Sequence, residues 1–133
     1  MKKYFFAFCL VLMCLLIAGC GPTIIRYEVT GTAPSVNITM NNSHGGTEQL
    51  SNVSLPWFKE FRLEKYARDP EYDDGNYVGA SYLSYLSTQN NGYSGSITVK
   101  IYRNGRECQK ATSTGAHVTA TASKKILPGT ECY

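Results

Sequence analysis

The sequence predicts an all-β protein, an antiparallel β-sandwich of about seven to eight strands behind an N-terminal export segment. Three observations carry this. Apolar residues recur at every second position through most of the chain after residue 24, which is the period of half-buried strands. Turn formers punctuate those runs: NNSHGG at 41–46, NNGYSG at 90–95 and NG at 104–105, all rich in residues that tolerate positive φ. Helix signals, an apolar 3,4 spacing behind a capping residue, are almost absent.

The elements follow in order. Ile25, Tyr27 and Val29 alternate with Arg26, Glu28 and Thr30, and Val36, Ile38 and Met40 alternate with Asn37, Thr39 and Asn41. The turn at 41–46 leads into a returning strand over Thr47–Leu55, which Pro56 breaks because it cannot donate to a ladder. A strand from Trp57 to Lys65 places Trp57, Phe61 and Leu63 on one face and Glu60, Arg62 and Glu64 on the other. Trp57, beside a proline at a strand corner, is expected to pack as an anchor. ARDPEYDDGN at 67–76 is the one long irregular segment. Further strands are expected over Tyr82–Thr88, over 96–102 with Ile97, Val99 and Ile101 inward, over Arg106–Ser113, and from Val118 through Ala120 and Ala122. No internal repeat interrupts this pattern.

The first twenty residues, MKKYFFAFCLVLMCLLIAGC, have a different character. Two lysines precede an apolar run of 15 residues, Tyr4 to Ala18. That is shorter than the roughly 20 residues a membrane helix needs and has the layout of a secretory signal. Its end, Ile17-Ala18-Gly19-Cys20, resembles the bacterial lipobox, in which the cysteine is acylated and becomes the new N-terminus. The alternatives are an ordinary signal peptide containing a cysteine and an uncleaved anchor helix. In the lipoprotein reading, residues 1–19 are the signal peptide, 20–23 a short lipid-anchored tether and 24–133 the sandwich domain. Two or more palmitate-like chains on Cys20 suffice for stable anchoring. Gly21 stands where an Asp retains lipoproteins in the inner membrane, so a Gram-negative cell would sort this chain to its outer membrane. The expected location is the cell envelope, lipid-anchored and facing away from the cytoplasm. Tethered by Gly21, Pro22 and Thr23 alone, at about 3.3–3.6 Å each, the domain is expected close to the bilayer.

Loss of residues 1–19 leaves 114 residues, one domain's worth. It takes two of the 13 basic residues and none of the 10 acidic ones, so the net charge falls from +3 to +1. No basic cluster beyond Lys124-Lys125 survives, which argues against nucleic acid as a partner. Cys9 and Cys14 leave with the signal and Cys20 is taken by lipid. Cys108 and Cys132 remain, an even pair in an exported domain, for which a disulfide is the simplest account and two free thiols the alternative.

Several segments together resemble one family. YEVTGTA (27–33), VNITMNN (36–42), GGTEQLSNVSLPWFKEF (45–61), QNNGYSGSITVKIYRNG (89–105) and ATSTGAHVTATAS (111–123) are similar, in order and spacing, to the mycobacterial membrane protein small (MmpS) family and its bacterial lipoprotein relatives. The resemblance covers most of the chain beyond the signal. It implies an immunoglobulin-like β-sandwich and an accessory role beside resistance-nodulation-division transporters that export lipids and siderophores. It implies no catalytic residues. Two features depart from the family: lipid at Cys20 in place of a transmembrane helix, and the insert YARDPEYDDGNYVG where a short turn is usual.

No reaction chemistry rises from the residues, so the chain is not expected to be an enzyme, and no cofactor is implied. GYSGS at 92–96 has only a superficial likeness to a nucleophile elbow, since it joins two strands and does not open a helix. His44 and His117 lack ligand-spaced Cys or acidic neighbours and are expected on solvated surface. Asp69, Glu71, Asp73 and Asp74 make an oxygen-rich loop whose spacing does not match the EF-hand, and turn chemistry accounts for it. The recognition candidates are tyrosines: Tyr66, Tyr72 and Tyr77 in the insert and Tyr82 and Tyr85 beside it, a residue type that gives large contact area at low entropy cost. Two functions compete. One is a non-catalytic tethered module docking an envelope transporter or other envelope protein. The other is an autonomous surface module for glycan, peptide or lipid built on the tyrosine-rich stretch 66–85.

Overall fold

The computed structural model describes residues 22–63, 81–127 and 132. The signal segment, Cys20 and the insert with Tyr66, Tyr72, Tyr77 and its acidic residues lie outside them. The described chain is all-β: β1 (Thr23–Gly31), β2 (Val36–Asn41), β3 (Thr47–Val53), β4 (Trp57–Leu63), β5 (Tyr82–Asn90), β6 (Ser96–Arg103), β7 (Arg106–Thr114) and β8 (Thr119–Ile126). They form two four-stranded antiparallel sheets, in the orders β4-β1-β6-β7 and β3-β2-β5-β8. Neighbouring strands run up and down, so every strand pair is antiparallel.

The period of two explains the core. Ile25, Tyr27, Val29, Ile97, Val99 and Ile101 face inward from the first sheet, and Val36, Ile38, Met40, Leu86, Ala120 and Ala122 meet them from the second. Small Ala120 and Ala122 leave room for the large side chains opposite, which is how a sandwich keeps close packing. Trp57 and Phe61 pack half-buried along the β4 border of this core, and Phe61 meets the Tyr27 ring edge-on at 5.3 Å. Lys59 lies on the same side of β4 and pairs with Glu48 of β3, linking the two sheets along that border.

Polar groups enter the core in a defined way. The buried Tyr27 hydroxyl accepts from Ser84 Oγ at 3.1 Å and from the Tyr85 amide at 3.3 Å, so that a polar tip is satisfied inside the sandwich. Thr88 Oγ1 is buried with no partner among the described residues. Thr88→Val is therefore expected to raise stability by up to about 1 kcal/mol, because it removes an uncompensated hydroxyl at nearly constant shape. Thermal unfolding measures this, and a lower Tm would contradict it.

The last three strands differ from expectation by one residue at a boundary, and β3 and β5 end two residues from it. β3 stops at Val53, not Leu55. Its pairing with β2 slips between Val36 and Ile38, and Asn52 there adopts φ 56°, a bulge that bends the edge strand away. β5 runs on to Asn90, because β8 keeps pairing it as far as Gln89–Thr119.

Candidate functional site

The up-and-down course of the strands sorts the connections between two ends. The N-terminal end holds the start of β1, the β2–β3 turn, the β6–β7 turn, the exit of β4 at Leu63 and the entry to β5 at Ser81. Thr23 pairs directly with Leu63 there. The distal end gathers four of the connections that cross between sheets, at 32–35, 54–56, 91–95 and 115–118. None of these contains an Asp, Glu, Lys or Arg.

Asn90 organises the distal end. Its side chain is fully buried, 0% exposed. Nδ2 donates to the Ser94 carbonyl at 2.9 Å and the Gly115 carbonyl at 2.8 Å, and Oδ1 accepts from the Gly92 amide at 2.8 Å. One amide thereby ties the loop after β5 to the loop after β7. Backbone bonds reinforce the tie: His117 N donates to Gly92 O at 3.1 Å and Gly115 N to Gly95 O at 2.9 Å. Asn91 extends it to the other loops. Its amide donates to Ser35 O at 3.1 Å, and its side chain donates to Asn37 Oδ1 at 3.0 Å and Asn52 Oδ1 at 3.2 Å. Gly92 is required for close approach, since a Cβ would stand 2.6 Å from Pro34 Cγ.

On this braced surface Tyr93 is 88% exposed. Its ring meets His117 edge-to-face at 5.1 Å, and His117 holds φ 53°, an uncommon conformation for a side-chain-bearing residue. A large aromatic is thus displayed from a rigid, charge-free tip. Such composition, tyrosine enriched and charge depleted, marks the centres of protein interfaces, and rigidity lowers the ordering cost of binding. His117 is exposed, as expected of it, and is also part of this tip; His44 sits exposed in the β2–β3 turn.

The structure separates the tyrosines expected to form a recognition patch. Tyr82 is corrected: it is 3% exposed, lies against Phe61 with centroids 6.3 Å apart, and its hydroxyl donates to Asn42 O at 2.8 Å. The reason is positional, because Tyr82 opposes Ile126 on the inner face of β5. Tyr85, three residues on, points to the outer face and is half-buried. Tyr66, Tyr72 and Tyr77 lie outside the described residues.

The disulfide between Cys108 and Cys132 is formed, with Cα atoms 5.0 Å apart. Along β7, Gln109 opposes Ile101 while Glu107 opposes Tyr102, so Cys108 is the extra residue of a bulge.

The outer face of the first sheet is charged and internally matched. Arg26 lies between Phe58 and Tyr102, at 5.0 and 5.8 Å from the ring centroids, and pairs with Glu28 at 3.1 Å. Lys100 stands 3.6 Å from Glu28 and 3.7 Å from Glu107. Hydrogen bonding to Tyr102 and its charge, followed by the two carboxylates, hold Lys100 above the ordinary lysine value of 10.5.

Among the described residues no group of three or more His, Cys, Asp or Glu could hold a metal ion, and no helix is long and apolar enough to cross a membrane. The described residues form a β-sandwich with a Cys108–Cys132 disulfide and a charge-free distal end on which Tyr93 is exposed. No protein-family model matches the chain, and no curated protein matches it either.

Proposed function

We propose that this chain is a non-catalytic, membrane-tethered module of the cell envelope, organised like the MmpS-type accessory proteins, that docks an envelope protein, a transporter in the favoured case, through its distal end. One observation carries this reading: Tyr93, the most exposed large hydrophobic side chain among the described residues, stands on a charge-free, hydrogen-bonded tip at the opposite end of the sandwich from the start of β1. The lipobox-like Ile17-Ala18-Gly19-Cys20 supports the tether. Anchored there, the domain holds its N-terminal end toward the bilayer and presents Tyr93 and His117 away from it.

Photocrosslinking from position 93 in intact cells tests the docking. A discrete envelope protein should be captured from position 93 and not from position 110 on the outer face of β7. Equal capture from both positions, or none from 93, would refute it. Tyr93→Ala is expected to weaken that partner's binding tenfold or more, about 1.4 kcal/mol or above, with an unchanged Tm because the side chain buries little. Intact mass of the membrane-extracted chain tests the tether: a chain that begins at an acylated Cys20 is expected, and an unmodified chain that keeps residues 1–19 would overturn it.

A further inference from the structure

The two outer faces of the sandwich differ in a way that docking at the tip does not use. The outer face of the first sheet carries Arg26, Glu28, Glu60, Arg62, Lys100, Glu107 and Lys110. The outer face of the second carries no charge from the distal end until Lys125. Its side chains stand in rows set by the register: Asn37, Gln89 and Thr119 in one, and Gln49, Thr39, Ser87 and Thr121 in the next. Tyr85 follows, opposite Ser123.

We propose that this face binds an uncharged saccharide chain, with Tyr85 as its stacking platform. Saccharide hydroxyls both donate and accept, and hydroxyl and carboxamide side chains are the ones that offer both functions at once without charge. Ser87 and Thr121 are already joined, Oγ to Oγ1 at 2.9 Å, which fixes the centre of the middle row. Thr39, Gln49, Gln89 and Thr119 keep their side-chain groups uncommitted to other described residues. The tyrosine ring supplies the flat apolar area against which the C–H face of a pyranose packs, and the half-buried setting of Tyr85 on a strand fixes its orientation. Charge selects among polymers. An anionic or cationic chain laid here would lose hydration with no counter-charge to receive it, while a neutral one loses little. The face is formed by strands, so binding needs no rearrangement.

The test uses the purified full chain on a printed set of neutral hexose and N-acetylhexosamine oligosaccharides beside sulfated ones. Retention on neutral oligosaccharides is expected, and Tyr85→Ala should weaken it at least about tenfold. Ser87→Lys should also abolish it, by planting an unpaired charge in the middle row. Circular dichroism checks that both variants keep the fold. A third variant, Lys110→Ala on the opposite face, should bind as the parent does. The proposal is overturned by no retention on any neutral oligosaccharide, by preference for the sulfated ones, or by binding that survives Tyr85→Ala and Ser87→Lys. Self-association through this face, read as a dimer that Ser87→Lys dissociates, would overturn it too. Tyr93→Ala should leave saccharide binding intact, so failure here and failure of the docking reading are separable.

Discussion

Replacement of Asn90 by Ala is expected to lower stability by about 3 kcal/mol, one kcal/mol for each of three side-chain hydrogen bonds, and Tm on the order of 10–20 °C. The side chain is fully buried and bonds the Ser94 and Gly115 carbonyls and the Gly92 amide. Alanine leaves all three without that partner at a junction where no other side chain among the described residues supplies one. Asn90→Asp sharpens the test, because it keeps the shape and reverses the donor. At neutral pH the carboxylate would keep the bond from Gly92 but face two carbonyls with lone pairs only. It is expected to be less stable than Asn90→Ala. The pH dependence follows. Burial and the two carbonyls raise the folded pKa of the new Asp above its unfolded value near 3.9, so the folded state holds its proton to higher pH. Stability of Asn90→Asp should therefore rise as pH falls from 7 toward 4, relative to Asn90→Ala. Urea denaturation at the two pH values measures it; an Asp variant as stable as the parent at pH 7 would contradict the assigned network. Both variants should also weaken the partner captured from Tyr93, because they release the loops that carry it.

The core was legible in the sequence for a simple reason. Ile25-Tyr27-Val29, Val36-Ile38-Met40 and Ile97-Val99-Ile101 alternate with polar residues, and alternation is what a half-buried strand requires. β5 was harder. YLSYLSTQN places Tyr82, Ser84, Leu86, Thr88 and Asn90 inward and Leu83, Tyr85, Ser87 and Gln89 outward, so both faces mix polar and apolar residues. Grouping Tyr82 with Tyr85 overlooked the period of two, under which residues three apart on a strand lie on opposite faces. Leu83, at 53% exposure, sits outside, while Ser84 sits inside because Tyr27 brings a hydroxyl to meet it. The distal site was hidden for a different reason. Asn90, Tyr93 and His117 are joined by the pairing of β5 with β8 and of β6 with β7, and no local pattern encodes which strands become neighbours. A weak signal did exist: an Asn on the inward register of a strand is costly unless something uses it.

Removal of the Cys108–Cys132 bridge is the second large effect expected, a loss of about 3 kcal/mol by the chain-entropy estimate for a loop of this size, with the residues 24 apart. The position of the bridge argues that its effect exceeds loop closure. Among the described strands β7 is one border of the first sheet and β8 one border of the second, and the two meet along one side of the sandwich, where Ser113 Oγ donates to Thr119 O at 2.7 Å. Cys132 follows β8 in the chain and is buried against Cys108 on β7. The bond therefore fastens the continuation of one sheet to the border of the other. A strand border left open pairs readily with other chains, and the Cys108 bulge, with Cys132 bonded to it, blunts this one. Cys108→Ala/Cys132→Ala should lower Tm on the order of 15 °C and raise the concentration-dependent association measured by light scattering. A reducing agent should reproduce both changes in the parent chain and neither in the double variant. A parent chain indifferent to reduction, with a double variant of unchanged Tm, would show that the sheets hold together at this side without the bond. A lower Tm with no added association would mean that the bulge alone guards the border.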